Sequence, residues 1–369
     1  MKILYVTTIG KTMGFFKAFI KDLIDNGHTV DIATNESGSP VPECYREWGC
    51  SVYPISTSRS PLNKGNVMAI KQLKKLVEEN GYDIVHCHTP NAAVATRLAC
   101  RKLRKKRGLK VFYTAHGFHF YKGAPLKTWL IYYPIEKFCS RFTDTLITIN
   151  KEDFELAKSK FKSNQICYVP GVGINVSKFA DAQVDKNEKR KEIGVPSEAV
   201  ILTSVGELIE RKNHMVILRS LVQIKNDDLH YIVVGKGELL EELQAFVNDN
   251  GISNRVHFLG YRKDVEEIYK ASDVCCLPSI HEGLPVALME AMASGLPCVA
   301  SRIRGNTDLI DEKTGFLVDT YDVDGYVNAI LQLFNDEKMR DSMGQENKKR
   351  AYQYSLDTII EDMRGIYEQ

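Results

Sequence analysis

Short, almost wholly apolar runs alternate along the chain with longer stretches in which apolar residues recur at helical spacing. Such runs are typical of parallel strands that helices cover on both faces, whereas half-exposed strands alternate apolar with polar residues. The predicted strands are KILYVTT, TVDIAT, DIVHCH, KVFYTAHG and DTLITIN in the first half, and VILTSVGE, HYIVVGKG, VHFLGY, DVCCLPS and PCVAS in the second. This pattern predicts an α/β fold made of two doubly wound domains, each with a parallel sheet.

The boundary between the two predicted domains lies in YVPGVGINVSKF, where Pro170, Gly171 and Gly173 interrupt the alternation. We therefore expect a first domain over residues 1–170, a second over 171–350, and a C-terminal helix over 351–369 that could pack back on the first domain. Ligands of such sheets bind beyond the carboxyl ends of the strands. Two facing sheets would therefore place the chemistry in a cleft between the domains.

Charge divides the chain in the same way. Residues 1–170 contain 26 Lys and Arg against 14 Asp and Glu, whereas residues 171–369 contain 23 against 33. A basic half favours an anionic partner such as a phosphorylated lipid, a membrane surface or nucleic acid. The basic stretch TRLACRKLRKKRGLK (96–110) is either a solvated helix face or a surface held against anionic lipid. Nucleic acid is not expected, because a reading motif and interleaved stacking aromatics are missing.

The sequence predicts neither a membrane span nor a secreted protein. No apolar run has the length of a transmembrane helix, and the N-terminus lacks a signal-peptide cleavage site. The nine cysteines show no disulfide framework, which indicates a reducing compartment, and the adjacent Cys275 and Cys276 are predicted to be buried thiols. We expect a cytoplasmic protein that could lie peripherally on the inner face of the plasma membrane through its basic domain.

Two glutamates stand in an apolar stretch, PSIHEGLPVALMEAMASGLPCVAS (278–301). Glu282 follows a predicted strand and precedes a helix that should begin at Pro285 and run to about Ala293. The amides and the dipole of a helix N-terminus bind anions. Glu290 would lie about 7.5 Å further along the axis, where it could accept both hydroxyls of a ribose. The spacing fits a nucleotide diphosphate that carries a polar group. The alternative is that Glu282 caps the helix and Glu290 faces solvent.

The block HEGLPVALMEAMASGLPCVAS resembles the E-x7-E signature of family 4 retaining glycosyltransferases, which have the GT-B fold of two facing Rossmann-like domains. GYRKDVEEIYKASDVCCLPS and EKTGFLVD resemble the segments that flank this signature, and VGKGELLEEL resembles the family's Gly-x-Gly turn. DIVHCHTP and YTAHGFHFYKGAPLK resemble the N-terminal domain of members that build bacterial exopolysaccharide and capsule. The resemblance covers most of the chain.

The resemblance implies a donor site in the second domain. By it, Glu290 binds the ribose hydroxyls, and Glu282 contacts the transferred sugar and supports the reacting centre as a catalytic residue. The other implied donor-binding groups are the amides of Gly283, Leu284 and Val286 for the diphosphate, and Gly260, Tyr261 and Arg262 in FLGYR for the base.

One position departs from the family's pattern. Members typically carry an Arg and a Lys that neutralise the leaving diphosphate. In VGELIERKNH the Lys matches at Lys212, a predicted catalytic residue, but the Arg position holds Glu207. A carboxylate cannot stabilise a departing phosphate, so Glu207 could bind a sugar or ribose hydroxyl instead. Arg211 could substitute for the missing Arg. Alternatively, Arg211 and Lys212 could be solvated surface charges.

The acceptor side is assigned to the first domain. His116, in TAHG at the carboxyl end of a strand, is predicted to be catalytic by the resemblance, whereas a lone histidine in such a place is more often structural. His88 and His119 are placed on the acceptor side, with plain packing as their alternative. Gly10 and Gly14 lie in the first strand-to-helix loop, which approaches the acceptor and phosphates in this fold.

No metal or other cofactor is expected. The resemblance to retaining enzymes of this fold implies that the leaving phosphate oxygen takes the acceptor's proton, so catalysis would rest on positioning and on stabilising the diphosphate charge. Asp322 and Asp324 form an Asp-x-Asp pair, but they lie at a helix start, where aspartates cap. His86 and His88 share one face of a strand, and a third zinc ligand is not apparent.

The sequence thus predicts a hexosyltransferase that moves a sugar from a UDP-sugar to a polyprenyl-diphosphate-linked glycan. Alternatives are a UDP-sugar epimerase or hydrolase of the same fold, and a non-catalytic nucleotide-binding protein, for which Glu207 is the best argument. A dinucleotide-dependent oxidoreductase would need Gly-x-Gly-x-x-Gly after the first strand, and neither IGKTMG nor GKGELL has that spacing.

Overall fold

The computed structural model describes residues 1–60 and 62–368, and of Arg107 it describes the backbone only. The chain divides into two compact units. Unit 1 comprises Met1–Val172 together with the segment that begins at Ile359, and unit 2 comprises Gly173–Thr358. The change from one unit to the other lies two residues beyond the predicted boundary at 170.

Unit 1 is built on one parallel sheet. Its strands are β1 (Lys2–Val6), β2 (Thr29–Thr34), β3 (Val52–Pro54), β4 (Ile84–His88), β5 (Lys110–Ala115), β6 (Thr145–Thr148) and β7 (Gln165–Tyr168). They follow the order β3-β2-β1-β4-β5-β6-β7. The sequence pattern identified all of them except the edge strands β3 and β7, which are short and only half-buried, so that no continuous apolar run marks them.

Helices connect these strands. They are α1 (Lys17–Asp25), α2 (Cys44–Glu47), α3 (Gly65–Asn80), α4 (Pro90–Cys100), α5 (Leu103–Arg107), α6 (Leu126–Cys139) and α7 (Lys151–Lys160). Two apolar clusters cover the two faces of the sheet, since Ile3 and Tyr5 of β1 belong to one cluster while Leu4 and Val6 belong to the other. This burial on both faces is why the strands are apolar throughout.

Unit 2 repeats the plan with six parallel strands. They are β8 (Val200–Val205), β9 (Leu229–Val234), β10 (Val256–Gly260), β11 (Val274–Leu277), β12 (Cys298–Ser301) and β13 (Gly315–Val318), in the order β10-β9-β8-β11-β12-β13. The edge strand β13 was not predicted as a strand. Cys275 and Cys276 in β11 are buried free thiols, as predicted.

The remaining helices complete unit 2 and return to unit 1. They are α8 (Val176–Ala180), α9 (Lys186–Glu192), α10 (His214–Gln223), α11 (Leu240–Asp249), α12 (Val265–Ala271), α13 (Val286–Ala293), α14 (Asn306–Leu309), α15 (Val323–Asn335), α16 (Glu337–Ala351) and α17 (Leu356–Tyr367). The C-terminal segment predicted over 351–369 is divided between the units, because Ile359, Met363 and Ile366 of α17 are buried in a cluster of unit 1.

The basic stretch 96–110 differs in one respect from the surface that the sequence suggested. Arg97 is 1% exposed. Its Nη1 lies 2.7 Å from Oε2 of Glu136, and its guanidinium lies 4.3 Å from the ring centre of Tyr113. Lys105 and Lys106 are exposed, whereas Arg104 donates to Asp144 over 2.7 Å. The side chain of Arg107 lies outside the described residues. In the described part of the chain, no helix is both long and apolar enough to cross a bilayer.

Candidate functional site

The loop from β11 to α13 carries the paired glutamates and sits where two backbones meet closely. Gly305 has φ +80°, and a Cβ at this position would lie 2.4 Å from the carbonyl oxygen of Gly283. The first amides bonded in the helical ladder are those of Leu288 and Met289, which donate to Pro285. The amides of Gly283, Leu284 and Val286 therefore precede that ladder, as an anion site at a helix N-terminus requires.

Glu282 lies at the centre of a cationic cluster. Its carboxylate accepts from Nζ of Lys212 over 2.7 Å, and Nη1 of Arg211 is 3.0 Å from the same oxygen. Glu282 is only 8% exposed, and its burial alone would raise the pKa of the carboxyl. The two cations outweigh that burial, so the pKa of Glu282 is lower than the ordinary value. Glu282 is therefore ionised at neutral pH.

Arg304 adds a third cation to this cluster and was not predicted. It is 5% exposed, its Nε donates to the carbonyl of Glu282 over 3.2 Å, and its Nη2 lies 2.7 Å from Nε2 of His281. The signal that could have revealed it is its place in SRIRGN, directly after the strand PCVAS, since polar residues at the carboxyl ends of parallel strands face the ligand. Arg304 fixes the backbone on which the Glu282 side chain stands.

The loop after β8 brings Lys212 to the cluster. A Cβ at Gly206 would lie 3.2 Å from Cε of Lys212, and the carbonyl of Gly206 approaches Gly235 so closely that only glycine fits there. The adjacent Glu207 is exposed, and only its backbone carbonyl contacts a protein group, Nε2 of His214 at 3.3 Å, among the interactions that the structure describes. The carboxylate of Glu207 is thus directed to solvent from the loop beside Lys212.

Glu290 lies in α13, on the same helix whose N-terminus the loop forms. Burial is the main reason that the pKa of Glu290 is raised to about 7, and Glu266 adds to this while Lys178 opposes it. Lys178 and Glu266 form their own ion pair, with Nζ 3.0 Å from Oε2. Glu290 is thus half-buried and half-protonated near neutral pH, which contradicts the alternative of a solvated surface carboxylate.

The residues predicted to face a base sit at the end of β10. Gly260 has φ +66°, and Tyr261 is 68% exposed. Arg262 donates from Nε to Asp264 over 2.8 Å, and its Nη2 contacts Glu192 at 2.5 Å. These carboxylates raise the pKa of Arg262 and hold its guanidinium. Tyr261 is therefore the side chain of this group that is available to stack on a ring.

Unit 1 contains a row of three histidines. His86 and His88 are buried in β4, and His116, which directly follows β5, is half-buried. Nδ1 of His88 lies 3.1 Å from Nε2 of His116. His86 is bonded on both nitrogens, to Tyr367 at 2.5 Å and to Thr114 at 2.8 Å. Burial lowers the pKa of His116 to about 4 and that of His86 to about 3, and it lowers the pKa of His88 as well. All three rings are neutral at physiological pH.

The other residues predicted on the acceptor side also lie in unit 1. His119 follows β5, whereas Gly10 and Gly14 lie in a short 3-10 helix (Gly10–Phe16) and not in the open loop that the sequence suggested. The exposed ring of His119 stacks on Tyr132 of α6, with ring centres 4.5 Å apart. A Cβ at Gly10 would lie 2.2 Å from the carbonyl oxygen of Ser39, so this position requires glycine. A Cβ at Gly14 would have no neighbouring atom within 4 Å, so this position does not require glycine.

Of the Asp-x-Asp pair, Asp322 caps a helix as predicted. Oδ1 of Asp322 accepts from the amide of Gly325 over 3.0 Å and so caps α15, while Asp324 lies in the first turn. Within residues 1–60 and 62–368, no group of three or more His, Cys, Asp or Glu is arranged to hold a metal ion.

The structure thus brings Arg211, Lys212 and Glu282 together at one helix N-terminus in unit 2, with Glu290 further along the helix. It also brings His88 and His116 together in unit 1. Glu207 is not part of the ion-paired cluster.

Comparisons with known proteins identify the family of the chain. The family described as glycosyl transferases group 1 matches residues 185–350, and the family described as glycosyl transferase 4-like matches residues 2–150. EpsD of Bacillus subtilis (strain 168), which carries the provisional name of a glycosyltransferase, is 37% identical over 320 residues, 85% of this chain and 84% of that protein. The UDP-Gal:alpha-D-GlcNAc-diphosphoundecaprenol alpha-1,3-galactosyltransferase of Escherichia coli is 31% identical over 317 residues, 82% and 81% of the two chains.

A solved structure shares the whole fold. Anabaena HepE, determined in complex with UDP and glucose, superposes with a TM-score of 0.80 at 18% identity, and the match covers 100% of this chain and 99% of that one. The two parallel-sheet units therefore have the GT-B architecture.

Proposed function

The chain belongs to the group 1, family 4-like glycosyltransferases, and from this premise we propose that it transfers a sugar from a UDP-sugar to a lipid-linked glycan in bacterial exopolysaccharide or capsule synthesis. It is a glycosyltransferase of the GT-B fold. The observation that carries the proposal is the contact of 2.7 Å between half-buried Lys212 and buried Glu282, in front of the N-terminus of α13.

The donor is proposed from the chemistry of this cluster. Free amides of a helix N-terminus and the cations Lys212, Arg211 and Arg304 favour a diphosphate. Glu290 lies further along α13, about 7.5 Å along the axis from Pro285 at the helix start at 1.5 Å per residue, where we propose that it binds the ribose. Uridine as the base is supported by the UDP bound in HepE and by the UDP-Gal named for the E. coli relative, since neither the cluster nor Tyr261 selects a base.

The acceptor is proposed from unit 1 and from one relative. The E. coli protein is named for an acceptor on diphosphoundecaprenol, which is a polyprenyl diphosphate. The basic excess of residues 1–170 suits an anionic, membrane-borne substrate. We accordingly place the enzyme peripherally at the membrane.

The reaction is proposed to retain the anomeric configuration and to need no metal. The bond between the sugar carbon C1 and the donor phosphate oxygen breaks, the acceptor oxygen bonds to C1 from the same face, and the acceptor's proton passes to the leaving phosphate. Lys212 and Arg211 stabilise the charge that develops on UDP. Neutral His116 positions the reacting sugar through a hydrogen bond, because a histidine of pKa about 4 is a weak base.

The test is transfer from radiolabelled UDP-galactose, UDP-glucose and UDP-N-acetylglucosamine to polyprenyl-diphosphate-linked N-acetylglucosamine in EDTA. The proposal predicts a labelled lipid product with an α-linkage from an α-donor, and loss of the product with Lys212→Ala. Release of free sugar without an acceptor, or a change of the sugar in the recovered nucleotide, would instead indicate the hydrolase or epimerase alternative, which the relatives' names do not favour.

A further inference from the structure

The outward side of α6 is apolar. Several large side chains of this helix and its proline are exposed, and Leu126 and Leu130 reach 73% and 69% exposure. We call the following set the α6 face: Leu126, Leu130, Ile131, Pro134, Ile135 and Phe138. At 100° per residue these six positions fall within one half of the helix circumference, so they form a continuous stripe.

A buried ion pair fixes which side of α6 points outward. Glu136 is buried and pairs with Arg97 of α4, and its other oxygen accepts from the hydroxyl of Tyr113 over 3.4 Å. On the same inner side, Trp129 and Tyr133 pack against the core of unit 1. The helix cannot rotate to hide its apolar face without breaking this pair in a buried environment, which is strongly unfavourable.

A groove extends the apolar surface beside α6. It has a volume of about 300 Å³ and lies between α6 and the start of α3, with Ile131 and Ile135 on one wall and Leu62 and Val67 on the other. Leu62 is 93% exposed and Val67 is 63% exposed. The exposed apolar surface thus continues from the α6 face across the groove to Leu62 and Val67. We call these two residues the groove lip.

The exposed charges on α6 and on the groove lining are positive. Lys127 and Lys137 are exposed on the same half of α6, and Lys64 lines the groove. Glu136 is the only acidic residue of α6, and it is buried and paired. An apolar stripe flanked by lysines matches an anionic lipid surface, since the apolar side chains enter the acyl region while lysines reach the headgroups.

We infer that the α6 face and the groove lip are the surface by which the enzyme docks on an anionic bilayer, with α6 lying in the plane of the interface. The inference rests on the proposed function to the extent that a lipid-linked acceptor is presented there. His119, predicted on the acceptor side, stacks on Tyr132 of the same helix. Docking through α6 would therefore bring the loop that carries His119 close to the membrane. The stretch 96–110 then supplies only general attraction.

A second copy of the chain fits this surface less well. In a two-fold dimer through the α6 face, Lys127 and Lys137 would meet the same lysines of the other copy, with no exposed acid on α6 to compensate. A bilayer containing anionic lipid supplies the missing negative charge.

The test is flotation with vesicles of phosphatidylcholine alone or with about 30% phosphatidylglycerol, at low and high salt. The variants are Leu130→Ser/Ile135→Ser and Lys127→Gln/Lys137→Gln. Lys105→Gln/Lys106→Gln is the charge-matched control in the stretch 96–110. All six side chains are exposed, and unchanged circular dichroism and melting would show that the variants fold.

The wild type should float with the anionic vesicles. The partition coefficient of the Leu130/Ile135 variant should fall by about tenfold or more at either salt concentration, because its apolar side chains can no longer insert into the bilayer. The Lys127/Lys137 variant should lose about tenfold at low salt only, and the control should lose much less. Failure of the wild type to float, or a larger loss in the control than in either α6 variant, overturns the inference. So does a lipid-free dimer that the Leu130/Ile135 variant dissociates.

Two readouts separate this inference from the proposed function. UDP should raise the melting temperature of every variant equally, because its site lies in unit 2. Transfer to a long polyprenyl acceptor in vesicles should fall in the Leu130/Ile135 variant, whereas transfer to a short water-soluble acceptor should not. Flotation without any effect of UDP would leave the docking surface and overturn the proposed function. Stabilisation by UDP without flotation would leave the proposed function and overturn the docking surface.

Discussion

At the scale of single residues, the charge of Glu282 decides what the site can do. An isolated carboxylate with 8% exposure would be strongly destabilised, and the fold compensates it with Lys212 and Arg211. On the proposed function, the same cations would also bind the diphosphate of the donor. We therefore regard the cluster as preorganised for a negative ligand whose charge increases during the reaction.

Lys212→Ala tests this balance. The change removes the closest partner of Glu282, so the pKa of that carboxyl should rise and the folded state should lose about 3 kcal/mol. The rate constant kcat should fall about 100-fold or more, because a stabilising cation is lost from the leaving group. Arg211→Ala is the control, and its smaller effect on stability is expected because its side chain is 38% exposed. Urea unfolding and transfer assays measure both effects, and a Lys212→Ala enzyme of normal kcat would contradict the role.

If Glu290 binds the ribose as proposed, binding of UDP should depend on pH. Its pKa of about 7 in the folded protein exceeds its ordinary value, so its contribution to stability is complete below about pH 4.5 and is lost as pH rises through 7. Ribose hydroxyls donate to the ionised form, so UDP affinity should increase about tenfold between pH 6 and pH 8. In Glu290→Gln this part of the dependence should vanish, and the titration of UDP itself, common to both proteins, cancels in the comparison. Calorimetric titration measures it. Parallel pH curves for the two proteins would refute the assignment.

At the scale of elements, the site depends on where loop backbones touch. Gly283, in the loop before α13, packs directly against Gly305, in the loop after β12. The contact leaves no room for a side chain at Gly305. Positive φ values at such contacts favour glycine, and a residue with Cβ would push the loops apart.

Gly305→Ala should therefore weaken UDP binding about tenfold and destabilise the protein, because its Cβ would meet the carbonyl of Gly283 at 2.4 Å. Gly295→Ala is the matched control. Gly295 has a similar φ of +84°, but its Cβ would meet the nearest atom at 3.7 Å. The control should lose about 1 kcal/mol of stability and keep its UDP affinity. Equal dissociation constants for UDP in both variants would mean that the contact does not shape the site.

The start of α15 distinguishes capping from metal binding. Asp322→Ala removes an observed cap and should lower the free energy of unfolding by about 1 kcal/mol, whereas Asp324→Ala should change it by much less. Neither variant should alter transfer in EDTA or with added Mn²⁺. Loss of transfer in both variants, restored by Mn²⁺, would instead identify a metal-binding pair.

At the scale of the whole molecule, the sequence predicts the repeated α/β plan well, because burial on both sheet faces imposes apolar strands that no other fold class needs in this order. It also predicts the helix that follows Glu282 and the cap at Asp322. The sequence does not reveal contacts between residues that are far apart along the chain. The pairing of Arg97 with Glu136, 39 positions later in the chain, removes a charge from the apparent basic face, and no local pattern reveals it.

The same limitation applies to the sites. Arg304 reaches the backbone of Glu282 from another strand, and His88 meets His116 through the register of two neighbouring strands. The split of the C-terminal segment follows from the apolar side of α17, which fills the core of unit 1. These features require the three-dimensional arrangement, and the sequence alone supplies only the residues.

The most direct test of the account is the melting temperature with UDP, GDP, ADP and NAD, each in EDTA, for the wild type and Glu290→Ala. A ligand at 100 times its dissociation constant adds about 2.7 kcal/mol to the free energy of unfolding, which is a measurable shift. The account predicts that UDP stabilises the wild type, that the shift is lost in Glu290→Ala, and that NAD has no effect. Stabilisation by NAD, or an equal shift by UDP in the variant, would contradict a UDP-sugar site at Glu282 and Glu290.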